Sequence, residues 1–282
     1  MGQLTILTGI VVALCGILVG VLSAMFGIGG GVVMVPMLHI GFGLPAAVAS
    51  GTSLFAILPT SLSGMIARAH DGTIRWKVGV IVGVAGACLS PVGAWVSEHV
   101  NGMYAMILTG VVILFTAYKM FNRVYKTRPA VINAAVEAAQ AGVVEKPRPA
   151  GLLDIQTTPN ARLVPACVAL GVVVGFLSGY LGLGGGFLVV PILQGVFGLS
   201  MKQATGTSLV SVAVLAVPAF VTHALLGHVA WVIGILFVIG SIVGTRLGAR
   251  ILRHVNDRLL TGLFGVVLIA SGIVMIVREI VG

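Results

Sequence analysis

Four glycines and a serine, written twice in the chain, have the types and spacing that could do chemistry. The stretch 26–36 reads FGIGGGVVMVP and the stretch 181–191 reads LGLGGGFLVVP, each preceded by a serine, Ser23 or Ser178. Within them Gly29, Gly30 and Gly31 correspond to Gly184, Gly185 and Gly186. Such glycines adopt φ > 0 without steric cost and let a second backbone or a ligand approach closely. A helix that starts right after the cluster points unpaired N–H groups and a positive dipole end at the gap, an arrangement that binds anions. Tight helix packing of the small-xxx-small kind also uses glycines in this way. Recurrence at one offset, with the serine and the downstream Pro36 or Pro191 retained, favours a substrate site. A nucleotide-binding loop is excluded, because G-x-G-x-x-G is not satisfied and no Lys-Ser/Thr follows.

A second polar group also occurs twice, as Ser50, Gly51, Thr52 and Ser53 and as Thr205, Gly206, Thr207 and Ser208. Uncharged hydroxyls donate to oxyanion oxygens while leaving the ligand releasable. Ser and Thr in membrane helices also cap and cross-link neighbouring helices, and both roles stand for these residues. The seven carboxylates all fall in loops or at segment ends. None is available at mid-membrane to relay protons or hold a cation, which disfavours a cation carrier or a pump built on buried Asp or Glu. A coupling ion, proton or sodium, would therefore rely on carbonyls, hydroxyls, a His or the substrate itself. His70 and His223 end matching helices and, titrating near neutral pH, are candidates for gating. The aligned His99 and His254 read as helix terminators. No metal-like cluster, cofactor motif or activated nucleophile occurs, so no catalytic residue, metal or cofactor is expected and the chain does not read as an enzyme.

The elements that carry these residues are apolar. Of 282 residues 58% are hydrophobic and 8% charged, with mean hydropathy +1.15, too little polar surface to enclose an aqueous globule. Runs near 5–26, 45–67, 78–97, 103–121, 163–181, 203–222, 229–245 and 259–277 approach the ~20 residues that cross a bilayer. Two shorter runs, 28–42 and 183–197, follow the glycine clusters. Cys15, Cys88 and Cys167 lie in apolar runs and read as free thiols. The net charge of +9 sits at segment ends, where it meets lipid and sets orientation, so nucleic acid is not an expected partner.

The repeat extends well beyond the motifs: Trp76 returns as Trp231 and His99-Val100-Asn101 as His254-Val255-Asn256, all 155 positions on. Charge breaks the match. Arg68, Arg75 and Lys77 surround the first-half loop 68–77, whereas 223–232 has no Lys or Arg; Arg246, Arg250, Arg253 and Arg258 lie in 246–258, whereas 91–103 has none. Basic residues mark the cytoplasmic side, so equivalent loops are expected on opposite faces. The expectation is an all-α integral membrane protein of two inverted-topology helical repeats, with about ten membrane segments, two of them short or broken, and both termini outside. Repeat 1 would span 1–122, a cytoplasmic linker 123–161, and repeat 2 162–282.

The paired G-x-x-S-x-x-x-G-x-G-G-G-x-x-x-V-P motifs, with G-T-S-L about fifteen residues later in each half, resemble the TauE/SafE family of sulfite-exporter-like permeases. The resemblance implies a multi-pass carrier in the bacterial or archaeal cytoplasmic membrane, exporter or importer. Its substrates would be small sulfur-containing anions such as sulfite, sulfoacetate or related organosulfonates, moved by alternating access around the glycine-broken helices. A passive anion channel and a carrier of non-sulfur organic anions are the alternatives. The family's motif positions fall on Ser23, Gly27 to Gly31, Pro36 and Gly51 to Ser53 and on their mates. Thr205 stands against Ser50 and Gly179 against Ala24, so the half-sites differ chemically.

Overall fold

A computed structural model describes residues 6–69, 71–100, 103–104, 106–122 and 160–281. The expected linker 123–161 and His70 thus lie almost wholly outside the described residues. The elements are helices: α1 (Ile6–Phe26), α2 (Gly31–Pro36, prolonged by a π turn Met37–Gly41), α3 (Ala46–Ala69), α4 (Trp76–His99), α5 (Met106–Asn122), α6 (Asn160–Leu181), α7 (Gly186–Gly195), α8 (Met201–Leu225), α9 (Trp231–His254) and α10 (Asp257–Val281). Seven of them, α1, α3, α4, α6, α8, α9 and α10, are long and apolar enough to cross a membrane; α2, α5 and α7 are shorter.

The helix surfaces follow from the sequence. On α9 the side chains of Ile235, Ile239, Val243, Leu247 and Ile251 form an exposed stripe at four-residue spacing, while Gly240, Gly244 and Gly248 face inward. An apolar stripe of this kind pointing away from the protein suits lipid rather than water. The glycines on the other face bring backbones together. A Cβ on Gly240 would collide with the Ala13 carbonyl, one on Gly244 with that of Ile17, and one on Gly248 would lie 2.5 Å from that of Val21. These contacts advance together along both helices, so α1 and α9 are parallel neighbours. Their counterparts α6 and α4 meet in the same way, through Gly171 on Val82, Gly175 on Gly86 and Gly179 on Ser90.

α3 and α8, which carry the repeated hydroxyls, cross at the centre. Gly51 abuts His223 and His228, Ile57 packs with Val212, and a Cβ added at Gly64 would lie 3.1 Å from Leu209. Here the contacts run in opposite senses, so α3 and α8 are antiparallel. Each long helix of one half therefore packs against helices of the other, which explains why small residues are placed along these faces. Trp76 and Trp231 open α4 and α9 and are about half exposed (46% and 51%), as interface anchors would be. His99 Nδ1 lies 3.0 Å from the Trp95 carbonyl and His254 Nδ1 3.3 Å from that of Arg250, matching their expected place at helix ends.

Candidate functional site

The glycine clusters are the turns between α1 and α2 and between α6 and α7. Each turn starts when the N–H four residues after Ser23 or Ser178 closes the last helical bond: Gly27 N–H donates to Ser23 O at 2.8 Å and Gly182 N–H to Ser178 O at 2.9 Å. The chain then passes through φ +69°, +69° and +91° at Gly27, Gly29 and Gly30, and +68°, +71° and +69° at Gly182, Gly184 and Gly185. Glycine adopts these left-handed values at little cost, whereas residues with a side chain are strained there. Gly30 and Gly185 are the N-caps of α2 and α7.

The two turns meet. A Cβ on Gly31 would collide with the Leu183 carbonyl, and one on Gly186 would lie 2.6 Å from Ile28 Cα. Each turn also rests on the hydroxyl-bearing helix of the opposite half: Gly27 on Thr205, and Gly182 on Ser50, whose Oγ would lie 2.5 Å from an added Cβ. Ser208 Oγ donates to Gly27 O at 2.8 Å, and Ser50 Oγ to Leu181 O at 3.4 Å. Gly51 and Gly206 are the close-approach points of these helices, against His228 and Arg68 respectively.

Thr52 and Thr207 act as matched caps. Thr52 Oγ1 accepts the Ala230 N–H at 2.9 Å and Thr207 Oγ1 accepts the Arg75 N–H at 3.0 Å. Ala230 and Arg75 are the N-caps of α9 and α4, so in each case the hydroxyl occupies an orphan donor at a helix start. The capping role foreseen for these threonines is thus present. Ser23, Ser53 and Ser178 are different, since all three are fully buried and their Oγ atoms have no partner among the described residues. An unmade hydrogen bond of a buried hydroxyl costs ~1–3 kcal/mol, which a ligand oxygen would recover.

Ile57 and Val212 fill the space beside Gly29 and Gly184, within 2.9 Å of where a Cβ on Gly29 would sit. A cavity of about 280 Å³ lies to one side, lined in part by Ser50, Ser97, Thr109, Tyr180, Leu181 and His228. It joins the 91–103 and 223–232 regions at one end of the bundle. At the other end Arg253 Nη2 lies 3.3 Å from Asp71 Oδ1 and Lys202 Nζ donates to the Arg253 carbonyl at 3.5 Å. This joins 68–77 with 246–258.

Two side chains differ from expectation. Arg68, read from sequence as a loop cation, belongs to the last turn of α3 and is 1% exposed. Its Nη1 donates to Thr205 Oγ1 at 2.9 Å and to Ala24 O at 3.4 Å, and its Nη2 donates to Lys202 O. The burial has a simple cause: the end of α3 abuts the start of α8, and Gly206 leaves room for the guanidinium. His223 is fully buried in the last turn of α8, with Nε2 3.4 Å from Gly179 O and its ring 5.7 Å from that of His228. The 155-residue register makes Arg68 the counterpart of His223, and Ala24 the counterpart of Gly179. Sequence reasoning paired His223 with His70 instead, two positions out of register. Cys15, Cys88 and Cys167 are free.

Comparison with known proteins places the chain among membrane transporters. The chain is 28% identical to the probable membrane transporter protein YunE of Bacillus subtilis over 280 residues, covering 96% of this chain and 98% of that one. It is 27% identical to a probable membrane transporter protein of Xylella fastidiosa, covering 98% of each. With the archaeal MJ0441 of Methanocaldococcus jannaschii, also a probable membrane transporter protein, it shares 25% identity over 93% of this chain and 92% of that one. No solved structure matches. The chain is a membrane transporter, not an enzyme, and a multi-pass protein of the cell membrane. The model of one family, sulfite exporter TauE/SafE, matches residues 12–275, and the chain belongs to that family.

Proposed function

We propose that the protein is a secondary transporter, exporter or importer, of small sulfur-containing anions such as sulfite, sulfoacetate or related organosulfonates. It works by alternating access around the paired glycine turns. The observation that carries the reading is the meeting of the two turns at the centre, each seated on the other half's hydroxyl-bearing helix. Ser23, Gly29, Gly30, Gly31 and Ser50 to Ser53 form one half of the substrate site, and Ser178, Gly184, Gly185, Gly186 and Thr205 to Ser208 the other. The unpartnered hydroxyls of Ser23, Ser53 and Ser178 supply donors for oxyanion oxygens. Ile57 and Val212 close the centre in this conformation, so a carrier with a gated site is favoured over an open pore. His223 is a gate at the end of the bundle that holds the 280 Å³ cavity.

In this reading the halves, 1–122 and 162–282, are inverted repeats of five crossings each, with 123–161 on the cytoplasmic side. Support comes from the antiparallel packing of the mates α3 and α8. The contact of Asp71 with Arg253 adds to it by joining the two regions that the positive-inside rule assigns to the cytoplasm. Rocking of one repeat against the other would expose the site to each side in turn.

The test is flux into proteoliposomes of sulfite, sulfoacetate, taurine, sulfate and a carboxylate, with and without a pH or sodium gradient and with substrate loaded on the trans side. Saturable, trans-stimulated flux of a sulfur anion is expected. Non-saturable flux without counterflow identifies a channel, and flux of the carboxylate alone identifies a carrier of non-sulfur anions. For the topology, His99→Cys and His228→Cys in a cysteine-free background should label from outside, and Arg75→Cys and His254→Cys from inside. Labelling of positions 75 and 228 from the same side would remove the inverted arrangement.

A further inference from the structure

Arg68 is a buried permanent cation that no carboxylate of the described residues contacts. Its bonded partners are neutral: the carbonyls of Ala24 and Lys202 and the hydroxyl of Thr205. Asp71, three residues further on, is engaged by Arg253 at 3.3 Å. The Nε of Arg68 is buried and has no partner among the described residues. A guanidinium removed from water and left with an unused N–H is costly unless an opposite charge completes its shell. Three of the groups around it belong to the glycine-turn architecture: Ala24 lies three residues before Gly27, while Thr205 carries the carbonyl on which Gly27 rests and precedes Gly206, where an added Cβ would lie 3.3 Å from Nη2.

We propose that Arg68 is the anion-receiving residue of the transport site at the end of the bundle formed by 68–77 and 246–258, and that a small oxyanion is its missing counter-charge, bound through Nε. The proposal rests on the anion-carrier reading above and names the group that would recognise the charge. The planar guanidinium offers an oxyanion directional donors as well as charge. Nη1 and Nη2, held by Thr205, Ala24 and Lys202, fix the orientation of Nε. Because these anchors come from both halves, an anion that draws the guanidinium toward itself pulls on the contact between α3 and α8. This links occupancy to movement of one half against the other. The counterpart position holds His223 against the equivalent carbonyl, Gly179 O, so the two ends present a permanent cation and a titratable one at the same place in the repeat.

The experiment is thermal unfolding of the purified full-length protein in detergent, titrated with sulfite, sulfate and sulfoacetate at constant ionic strength set by chloride. It compares the wild type, Arg68→Lys, Arg68→Gln and the exposed-site control Arg250→Gln. The wild type and Arg250→Gln should show a saturable rise in Tm with at least one oxyanion. Arg68→Gln should lose the rise, and Arg68→Lys, which keeps the charge but not the planar donors, should need roughly tenfold more anion or beyond. An unchanged titration in folded Arg68→Gln overturns the proposal; if that variant does not fold, an unchanged titration in Arg68→Lys does so. Absence of any saturable oxyanion effect in the wild type overturns the anion-carrier reading itself, and this proposal with it.

Discussion

The two half-sites share one backbone and differ in their chemistry. The turns at Gly27–Gly30 and Gly182–Gly185 match residue for residue in their left-handed φ values, and Thr52 and Thr207 cap equivalent helices at nearly equal distances. Around that common frame, Arg68 stands where the other half has His223, Thr205 where it has Ser50, and Ala24 where it has Gly179. Ser208 is bonded to Gly27 O, while its counterpart Ser53 has no partner. After its proline, α2 widens into a π turn, whereas α7 stays α-helical to Gly195. The duplication preserves what the backbone needs in order to turn and to be approached, and leaves the polar side chains free to diverge.

Substitutions can break the common part first. Gly27→Ala and Gly182→Ala each force a side chain into a left-handed conformation and against a facing residue of the other half. Strain and overpacking together should cost about 3 kcal/mol or more in each, read as a lowered Tm and lost flux. If one of the two variants kept wild-type stability and flux, the turns would not be equivalent. Next, Thr52→Val and Thr207→Val each strand a helix-start N–H at a cost of ~1–2 kcal/mol. Equal losses in denaturant unfolding are expected, and unequal ones would show that the caps do different work.

The divergent part gives smaller effects. Ser208→Ala should lower stability by about 1 kcal/mol and slow transport. Ser53→Ala removes a hydroxyl that has no partner among the described residues, so its Tm should hold while substrate KM rises. A parallel fall in the Tm of both would put Ser53 in a structural role. Asp71→Asn breaks an ion pair whose arginine side chain is 59% exposed and should change stability by less than about 1 kcal/mol. A larger change would make that contact a true latch between the two loops.

How much of this could be read from the sequence depends on how local the cause is. A positive φ is a property of one residue, so glycines announce it, and repetition at one offset makes the announcement specific. Helix length in hydrocarbon is equally local: of the eight long runs expected, seven are long spans, while 103–121 is met among the described residues by the shorter α5. Thr52 and Thr207 were visible as hydroxyls, but the N–H groups they meet belong to residues 178 and 132 positions away, and spacing says nothing of these. Arg68 was misread for a related reason. An arginine near a helix end is ordinarily interfacial, and its burial comes from the start of α8, which only the tertiary structure puts there. The 155-residue register did hold a signal, since it sets position 68 against 223. Pairing histidine with histidine by type hid it. The packing of Ile57 and Val212 beside Gly29 and Gly184 was also illegible, because it depends on where α3 and α8 meet.

The parallel seam of α1 and α9 has a consequence for biosynthesis. Ala13, Ile17 and Val21 find their glycine partners on Gly240, Gly244 and Gly248, nearly a whole chain length later. Within this sequence α1 is therefore matched only after α9 has followed it, and it must wait in lipid until then. Neither half can complete its own seams, so a chain interrupted after α5 should be held as an unfinished partner and rescued only by its missing half.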